Sequence, residues 1–561
     1  MLRMHDRMKK IQKQALAFTA RQYPEEVSMM KKYLCILAGL IFFVLNSSTS
    51  YACTGVYIGK EASADGTLIL ARSNDCPEIF ATRMMTVPHV ERDPGREMPV
   101  DSNSAAFAQL PDTTYKYTAT PFMDSTMSIS GTGMDDAVCV NEYGVTMTMS
   151  VTAFSNEAAL VADPWVCTGL TEFTANQLVI STSTSAREAV QRLTKLLDQY
   201  GSAETNIAMI ADQTEAWYME IYTGHQYAAV KLSDDEVSVF GNEFSLEYLS
   251  DYEECLFSPD LEKLARENGF AVYGDSGELN LWETYSGTGT VTDYSHMRTW
   301  IGHKLLAPAS YGDYRREDRY PLLFRPENRV SLQTVMEIMR NRYEGTEYSP
   351  DETGRIDMRV IGTDTALSVH VVQLDPSLPP ALAGTTWVSL APAVYGVFVP
   401  MNILCTEPSE AYGANQPQDN YGRFESDRYP WFTFKELNTL CLTDYRVYGT
   451  PVREYWHRAE TQMIEGMAAK RTQVGELLKK DPAEAQKQMT EYCAGLQEKA
   501  FEDAKELLNQ VRWTMSLNSN TMKLGKNPET GEYLTTERVL TPIAVTLDGS
   551  AYGKQQSIIT N

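Results

Sequence analysis

The stretch Cys53-Thr-Gly-Val-Tyr-Ile-Gly59, followed by Ala64-Asp-Gly-Thr-Leu-Ile-Leu-Ala-Arg-Ser-Asn-Asp75, sets the reading of this 561-residue chain. Thr54–Gly59 and Thr67–Arg72 are strand-like runs, and Ser63-Ala64-Asp65-Gly66 separates them. An Asp-Gly turn between two β-rich runs is a strong hairpin signal. In an antiparallel pair the end of the second strand returns to the start of the first, so Arg72 and Asp75 are expected beside Cys53. The residue types suit a reactive thiol. A guanidinium stabilises a thiolate and lowers its pKa, and a carboxylate can hold a thiol or an amine in position. An Arg-x-x-Asp surface pair after a strand is the competing reading, and the sequence before Cys53 weighs against it.

That preceding sequence reads Met30-Lys-Lys, an apolar run Tyr33–Leu45, and a small-x-small site at Ser50-Tyr51-Ala52. Basic residues, a short apolar run and such a site are the marks of a secretory signal peptide. The run is too short to span a bilayer. Residues 1–52 are therefore expected to be an N-terminal extension and signal peptide, removed by a signal peptidase, with Met29 or Met30 a better start than Met1. The product is expected to be exported, periplasmic or extracellular. Cleavage after Ala52 would leave Cys53 as the first residue, carrying both a thiol and a free α-amine. With unperturbed pKa values near ~8 for the amine and ~8.5 for the thiol, the amine can serve as general base for its own thiol. A lipid anchor on Cys53 competes with this, but the usual lipidation pattern has Leu three residues before the cysteine, where this chain has Ser50.

Composition excludes several other functions. There are 49 Lys+Arg against 74 Asp+Glu, for a net charge of −25, which repels nucleic acid. Removing residues 1–52 takes eight Lys/Arg and three Asp/Glu with it, leaving 41 against 71 and a net charge of −30. Seven histidines without a tight cluster argue against a His-rich metal site, and nine cysteines without a Cys-x-x-Cys pair argue against a zinc ribbon or a complete disulfide framework. An odd cysteine count leaves at least one thiol over. The length implies two or three domains, or one large core with insertions.

Along the chain, Val138–Val140 and Val145–Val151 flank Asn141-Glu-Tyr-Gly144 as a second hairpin. Ser185-Ala-Arg-Glu188 is a capping box that opens a helix stopping at Gly201. Strands are expected at 206–211, 216–222, 226–232 and 237–241. Residues 250–350 resist assignment apart from a helix at Ser331–Tyr343. Strands return at Leu367–Leu374 and Ala393–Val399. From 453 to 512 the apolar residues recur at helical spacing, with a break at Asp481-Pro482-Ala483-Glu484, where Asp is an N-cap and Pro takes the first helical position. The expected organisation is a catalytic domain at 53–450, a helical hairpin at 451–512, and a tail at 513–561 packed on the catalytic domain as strands or loops.

The opening stretch, with Asn141-Glu-Tyr-Gly-Val145, Asp163-Pro-Trp-Val166, Ala186-Arg-Glu-Ala189, Glu215-Ala-Trp-Tyr218, His370, Pro379-Pro380, Trp387 and Val397-Phe-Val-Pro400, resembles the broad-specificity bacterial dipeptidases. These are cysteine N-terminal-nucleophile hydrolases, more distantly related to bile-salt hydrolase and penicillin V acylase, and the resemblance covers most of 53–460. It implies an α+β fold, a four-layer αββα sandwich of two antiparallel sheets, to which the helical hairpin is added. It implies Cys53 as nucleophile, Arg72 and Asp75 as its charge partners, and Asn242 as oxyanion donor, although a turn residue after a strand is the competing reading for Asn242. Arg298 looks like the second site arginine of the wider class and is expected to bind substrate, with a structural salt bridge as the alternative. Some relatives place a polar Asn or Glu after the Asn-Glu-x-Gly-Val turn; here the stretch is Met147-Thr-Met-Ser150, and a backbone N–H could supply the second oxyanion contact.

The implied activity is hydrolysis of dipeptides through a thioester, with no metal or cofactor and no nucleic-acid partner; a homo-oligomer is allowed. Two alternatives stay open: an N-acyl amide hydrolase or acyltransferase of the same fold, and a catalytically degenerate surface lipoprotein. With an N-terminal amine as base no catalytic histidine is required, so His296, His303 and His370 read as structural, and Cys76 reads as a small buried residue.

Overall fold

Strands β1 (Gly55–Ile58) and β2 (Leu68–Asp75) form the expected hairpin, with Gly55 opposite Arg72 and Ile58 opposite Ile69. The Asp65 carboxylate closes its turn by accepting from Ser63 Oγ and from the Thr67 N–H and hydroxyl, and Gly66 takes a φ of 78° that a side chain would resist. Successive side chains alternate between two buried faces: Val56, Ile58, Ile69 and Ala71 on one, Tyr57, Leu68 and Leu70 on the other. The second strand runs past the expected end at Arg72 to Asp75, because β14 (Ala366–Leu374) pairs along its whole length, with Leu374 opposite Leu68 and Ala366 opposite Asp75. Arg72 and Asp75 thus lie within a central strand, not in a loop after it.

The computed structural model describes residues 53–76, 80–101, 105–123, 138–151, 153–355, 357–415, 424–519, 529–532, 540–550 and 552. The expected signal peptide at 1–52 lies outside them, as does much of the tail. All described residues belong to one unit, Tyr51–Asn561.

One six-stranded sheet has the order β12 (Val237–Phe240), β1, β2, β14, β15 (Gly384–Leu390), β16 (Val399–Asn402). A second, eight-stranded sheet has the order β13 (Cys255–Phe257), β11 (Tyr227–Lys231), β10 (Ala216–Ile221), β9 (Asn206–Ala211), β8 (Thr146–Val151), β7 (Val138–Asn141), β6 (Tyr117–Ala119), β3 (Met85–Val87). A short ribbon joins β4 (Glu97–Pro99) to β5 (Phe107–Gln109). The ladders of both sheets are antiparallel.

Tyr57, Leu70 and Val372 of the first sheet share a buried layer with Val140, Met209 and Tyr218 of the second. On the outer face of the second sheet, helices α1 (Glu172–Ile180) and α2 (Ala186–Tyr200) pack Leu178, Val190 and Leu193 onto Met147, Ile210 and Trp217. On the outer face of the first lie α3 (Asp293–Leu306), α4 (Leu332–Arg340), α5 (Pro430–Cys441), α6 (Thr450–Leu478) and α7 (Pro482–Ser519). Their Met297, Val335, Phe434, Trp456 and Leu496 surround Val369, Val371 and Trp387. The architecture is the four-layer αββα sandwich, an α+β fold with a C-terminal helical hairpin.

Three elements depart from the expectations. Ala393–Val399 is not a strand: β15 ends at Leu390, β16 begins at Val399, and between them Val394, Val397 and Phe398 are buried in a connection. Its apolar composition reflects that burial, and Arg340 satisfies the backbone there by donating to the Ala393 and Gly396 carbonyls. The helix expected over 331–343 stops at Arg340, with Ser331 as its N-cap and Tyr343 at a φ of 58°. Helix α7 continues to Ser519, past the expected 512, because Met515 still packs on the core and Asn518 is buried beyond Val511. The described tail residues form no strand; Ile543 N–H donates to the Val447 carbonyl at 3.0 Å and the Tyr552 hydroxyl to Asp503 at 2.6 Å. Among the described residues no helix is long and apolar enough to cross a membrane.

Candidate active site

Cys53 sits where β1 begins, at one end of the first sheet, and is 1% exposed. Its Sγ accepts from Arg72 Nη2 at 2.9 Å. The same guanidinium nitrogen lies 3.5 Å from Glu172 Oε2, at the first turn of α1. Strand alternation explains the meeting. Cys53 and Arg72 share the face of Tyr57 and Leu70, which looks towards the second sheet.

Asp75 is an odd number of residues from Arg72 and so lies on the opposite face, with Ile69 and Ala71. There its Oδ2 accepts from Ser73 Oγ at 2.9 Å and from Arg359 Nη2 at 2.6 Å. Its Oδ1 is buried without a hydrogen-bond partner among the described residues. Ser73 Oγ also accepts from the Thr54 N–H at 3.1 Å, which ties Asp75 to the backbone just after Cys53.

Asn242 reaches the site from the other side. Strand β12 flanks β1 with Phe240 opposite Gly55, so the residues after Phe240 emerge next to Cys53. Asn242 Oδ1 accepts from the Cys53 nitrogen at 3.0 Å and from Arg298 Nη2 at 2.8 Å. Two donors on the oxygen fix the amide's orientation and leave Nδ2 as its donor end. Arg298, on α3, was expected to meet substrate; it meets the backbone of Cys53 itself. Its Nη1 donates to the Cys53 carbonyl at 2.6 Å and to Thr54 Oγ1 at 2.9 Å. Among the described residues it forms no ion pair, so the salt-bridge alternative does not describe it. Cys53, Arg72, Asp75, Asn242 and Arg298 therefore come together at one end of the first sheet, drawn from two strands, a loop and a helix.

The electrostatics correct one expectation. Burial pushes the Cys53 thiol above its ordinary pKa; Arg72 pulls it down, but the carboxylates of Asp75 and Glu172 push it up again, and the net direction is up. The guanidinium attraction is present and desolvation outweighs it. Asp75 is likewise pushed up by burial against the pull of Arg359 and Arg298.

His370, directly opposite Arg72 in β14, has its pKa pushed well down by burial and by Arg72, which holds it neutral; its Nε2 lies 3.2 Å from Thr148 Oγ1. His296 is held between Glu243 and the Asp318 carbonyl. His303 sits between the Thr299 and Pro321 carbonyls, with burial pushing its pKa down to about 4. Cys76 is buried in the outer core of the first sheet. Cys53, Cys255, Cys405, Cys441 and Cys493 are free thiols. No group of three or more His, Cys, Asp or Glu side chains among the described residues has a metal-holding arrangement.

Two charged partners were not legible in the sequence. Glu172 and Arg359 lie far along the chain from Cys53 and in no motif with it. The one local signal for Glu172 was its place after Thr171, at the start of a helix, where an acidic residue is favourable.

The αββα sandwich thus carries a cysteine, an arginine and an aspartate on its first hairpin. The model of Peptidase family C69 matches residues 52–458, and the chain belongs to that family, whose members are peptide-bond hydrolases. A probable dipeptidase B of Streptococcus pyogenes serotype M1 is 29% identical over 490 residues, 84% of this chain and 95% of that protein. A probable dipeptidase B of Lactococcus lactis is 28% identical over 68% of this chain and 80% of its own. A probable dipeptidase of Salmonella dublin is 28% identical over 66% and 84%. Among solved structures, a mutant of conjugated bile acid hydrolase from Clostridium perfringens aligns over 65% of this chain and 95% of its own, at 10% identity and a TM-score of 0.31.

Proposed function

We propose that this peptidase is an exported dipeptidase whose nucleophile is Cys53, freed as the first residue of the mature chain. The observation that carries the reading is that one residue brings both reacting groups: the Cys53 thiol lies 2.9 Å from Arg72, while its nitrogen lies 3.0 Å from Asn242 Oδ1. The raised thiol pKa supports it further, because a protonated buried thiol requires a base next to it and the α-amine of the same residue is that base.

The amine takes the thiol proton, and the sulfur attacks the carbonyl carbon of the peptide bond. The oxygen becomes negative and is stabilised by Asn242 Nδ2 and a backbone N–H. The C–N bond then breaks as the α-ammonium returns the proton to the departing amine. Water attacks the resulting thioester with the amine again as base, the first amino acid leaves, and the thiol is restored. Arg298 holds the Cys53 carbonyl, and Asn242 Oδ1 holds its nitrogen, so the amine stays over its thiol. Dipeptides as substrate are supported by the relatives named above, of whose length this chain covers 95%, 80% and 84%. Export and the role of a signal peptidase are supported by the signal-like segment ending at Ala52 and by a family match that starts at residue 52.

The test is hydrolysis of a dipeptide panel by purified mature protein, beside penicillin V and bile-salt conjugates. Dipeptide turnover that Cys53→Ala abolishes and Cys53→Ser reduces to a trace is expected. Normal turnover in Cys53→Ala would overturn the nucleophile, and preferential turnover of the N-acyl amides would overturn the substrate class.

A further inference from the structure

Three consecutive residues after β12 are fastened to one stretch of α3. The Gly241 N–H donates to Thr299 Oγ1 at 3.2 Å, and a Cβ at Gly241 would stand 2.6 Å from the Ser295 carbonyl oxygen, which leaves no room for a side chain. Asn242 Oδ1 accepts from Arg298 Nη2 at 2.8 Å, and the Asn242 carbonyl accepts from Ser295 Oγ at 3.3 Å. Glu243 Oε1 accepts from Thr299 Oγ1 at 2.7 Å, and both Glu243 oxygens lie 3.1 Å from His296 Nδ1. This seam therefore carries Asn242 and Arg298, the two side chains that hold the nitrogen and the carbonyl of Cys53.

Glu243 brings a negative charge to the seam and His296 a positive one, and both are buried. His296 Nδ1 faces the carboxylate, and its Nε2 lies 2.9 Å from the Asp318 carbonyl oxygen. Neutral imidazole has one N–H to offer these acceptors, whereas the imidazolium has two. Burial pulls the His296 pKa down, but Glu243 and the Asp318 carbonyl push it up, and the net direction is up. His303 makes the contrast, since it sits between two neutral carbonyls and burial outweighs them.

A buried pair of this kind resists being pulled apart, because either charge left alone in the interior is costly. The far end of the loop is fixed separately. Glu220 Oε1, on β10, accepts from the N–H groups of Ser245 at 2.5 Å and Leu246 at 3.1 Å. Removing the Glu243 charge would thus loosen the Asn242 end of the loop without detaching the rest.

We propose that Glu243, paired with His296, is a positioning residue that sets where Asn242 Nδ2 meets the developing oxyanion. It acts through Asn242 and not on the reacting atoms. The inference rests on the reading of Asn242 as oxyanion donor given above.

The experiment is a double-mutant cycle on purified mature enzyme with one dipeptide, with alkylation of Cys53 as a check that each variant is assembled. Glu243→Gln keeps the size of the side chain and an acceptor for Thr299 but removes the charge. It should lower kcat about tenfold or more while KM moves less than about twofold, since a small displacement of a catalytic group costs rate. In an Asn242→Ala background the same substitution should change kcat by no more than about twofold, because the group it places is already gone. His296→Asn, whose amide can still donate to Glu243, should show a smaller loss of the same kind that also vanishes with Asn242→Ala; it decides the matter if Glu243→Gln does not fold. Unchanged kcat in both single variants, equal losses in both backgrounds, or a loss confined to KM would overturn the positioning role. Wild-type kcat in Asn242→Ala alone would instead overturn the oxyanion reading itself.

Discussion

Cys53 sits in a balance of opposing effects, and each can be moved separately. Burial and two carboxylates push its thiol up while Arg72 pulls it down. Replacing Arg72 with Leu removes the largest attraction, leaving the smaller one from the Asp75 backbone N–H, so the thiol should rise further and a smaller fraction should be thiolate at any pH below its pKa. Alkylation of Cys53 at pH 7 should slow by about tenfold or more, a loss of at least ~1 pKa unit, and the alkylation rate should climb with pH to a later plateau than in wild type. An unchanged alkylation profile would mean that Arg72 does not act on the sulfur. Asn242→Ala should lower kcat by about 10²–10³, as loss of one oxyanion donor does elsewhere, while dipeptide KM moves little; a change confined to KM would mark Asn242 as a binding residue instead. At this scale the sequence was informative where chemistry is local. Cys53, Arg72 and Asp75 fall on one hairpin, so strand geometry alone predicts their meeting. Glu172 and Arg359 come from distant segments, and only the packed tertiary structure brings them in. The net pKa direction was also hidden, because it depends on how far Cys53 is buried, which a strand pattern does not state.

Among the elements, the clasp between α4 and α6 is the most exposed to test. Arg340 pairs with Glu460 through both guanidinium nitrogens, and Glu460 Oε1 also accepts the Phe398 N–H at 2.8 Å. Both side chains are buried. Glu460→Gln should leave the buried Arg340 with only the partly exposed Glu337, 3.1 Å away, as counter-charge and cost about 3 kcal/mol in urea unfolding; a loss near zero would mean that Glu337 alone compensates it. Glu337, on the same seam, is pushed up by burial but held down by Arg340 and Arg453, to about 2 overall. Its folded pKa lies below the unfolded value, so its contribution is present above the ordinary carboxylate pKa and is lost as pH falls through the folded one. Glu337→Gln should therefore lower Tm at pH 7, and the difference from wild type should shrink steadily as pH falls from the ordinary carboxylate range towards 2. These contacts were illegible in the sequence for a simple reason. Helical periodicity shows which face of α6 is apolar, but not which charged residue on a distant helix will be buried against it. The misread connection at 391–398 has the same root: apolar residues buried beneath helices in a loop look like a strand when only composition is visible.

For the whole molecule, the hairpin and the sandwich share a core. Trp456, Met463, Met467, Leu496 and Leu507 belong to the same buried cluster as Val369, Val371 and Trp387. A chain ending before Thr450 should therefore expose a large apolar surface and fail to give soluble, folded enzyme, even though the residues touching Cys53 all precede it. Soluble truncated protein with normal dipeptide turnover would show that the hairpin is an independent addition. The strands at 54–75 and 138–241 and the helices at 453–512 were legible because alternation and helical spacing each reflect one buried face; the four-layer order followed from the family resemblance and not from those patterns. For a single residue to supply both nucleophile and base, Cys53 must stand first in the working chain. Intact mass and N-terminal sequencing of the active, purified enzyme decide whether it does. A chain beginning at an unmodified Cys53 is predicted; full activity in a chain that still carries residues before Cys53, or a lipid on its sulfur, would contradict it.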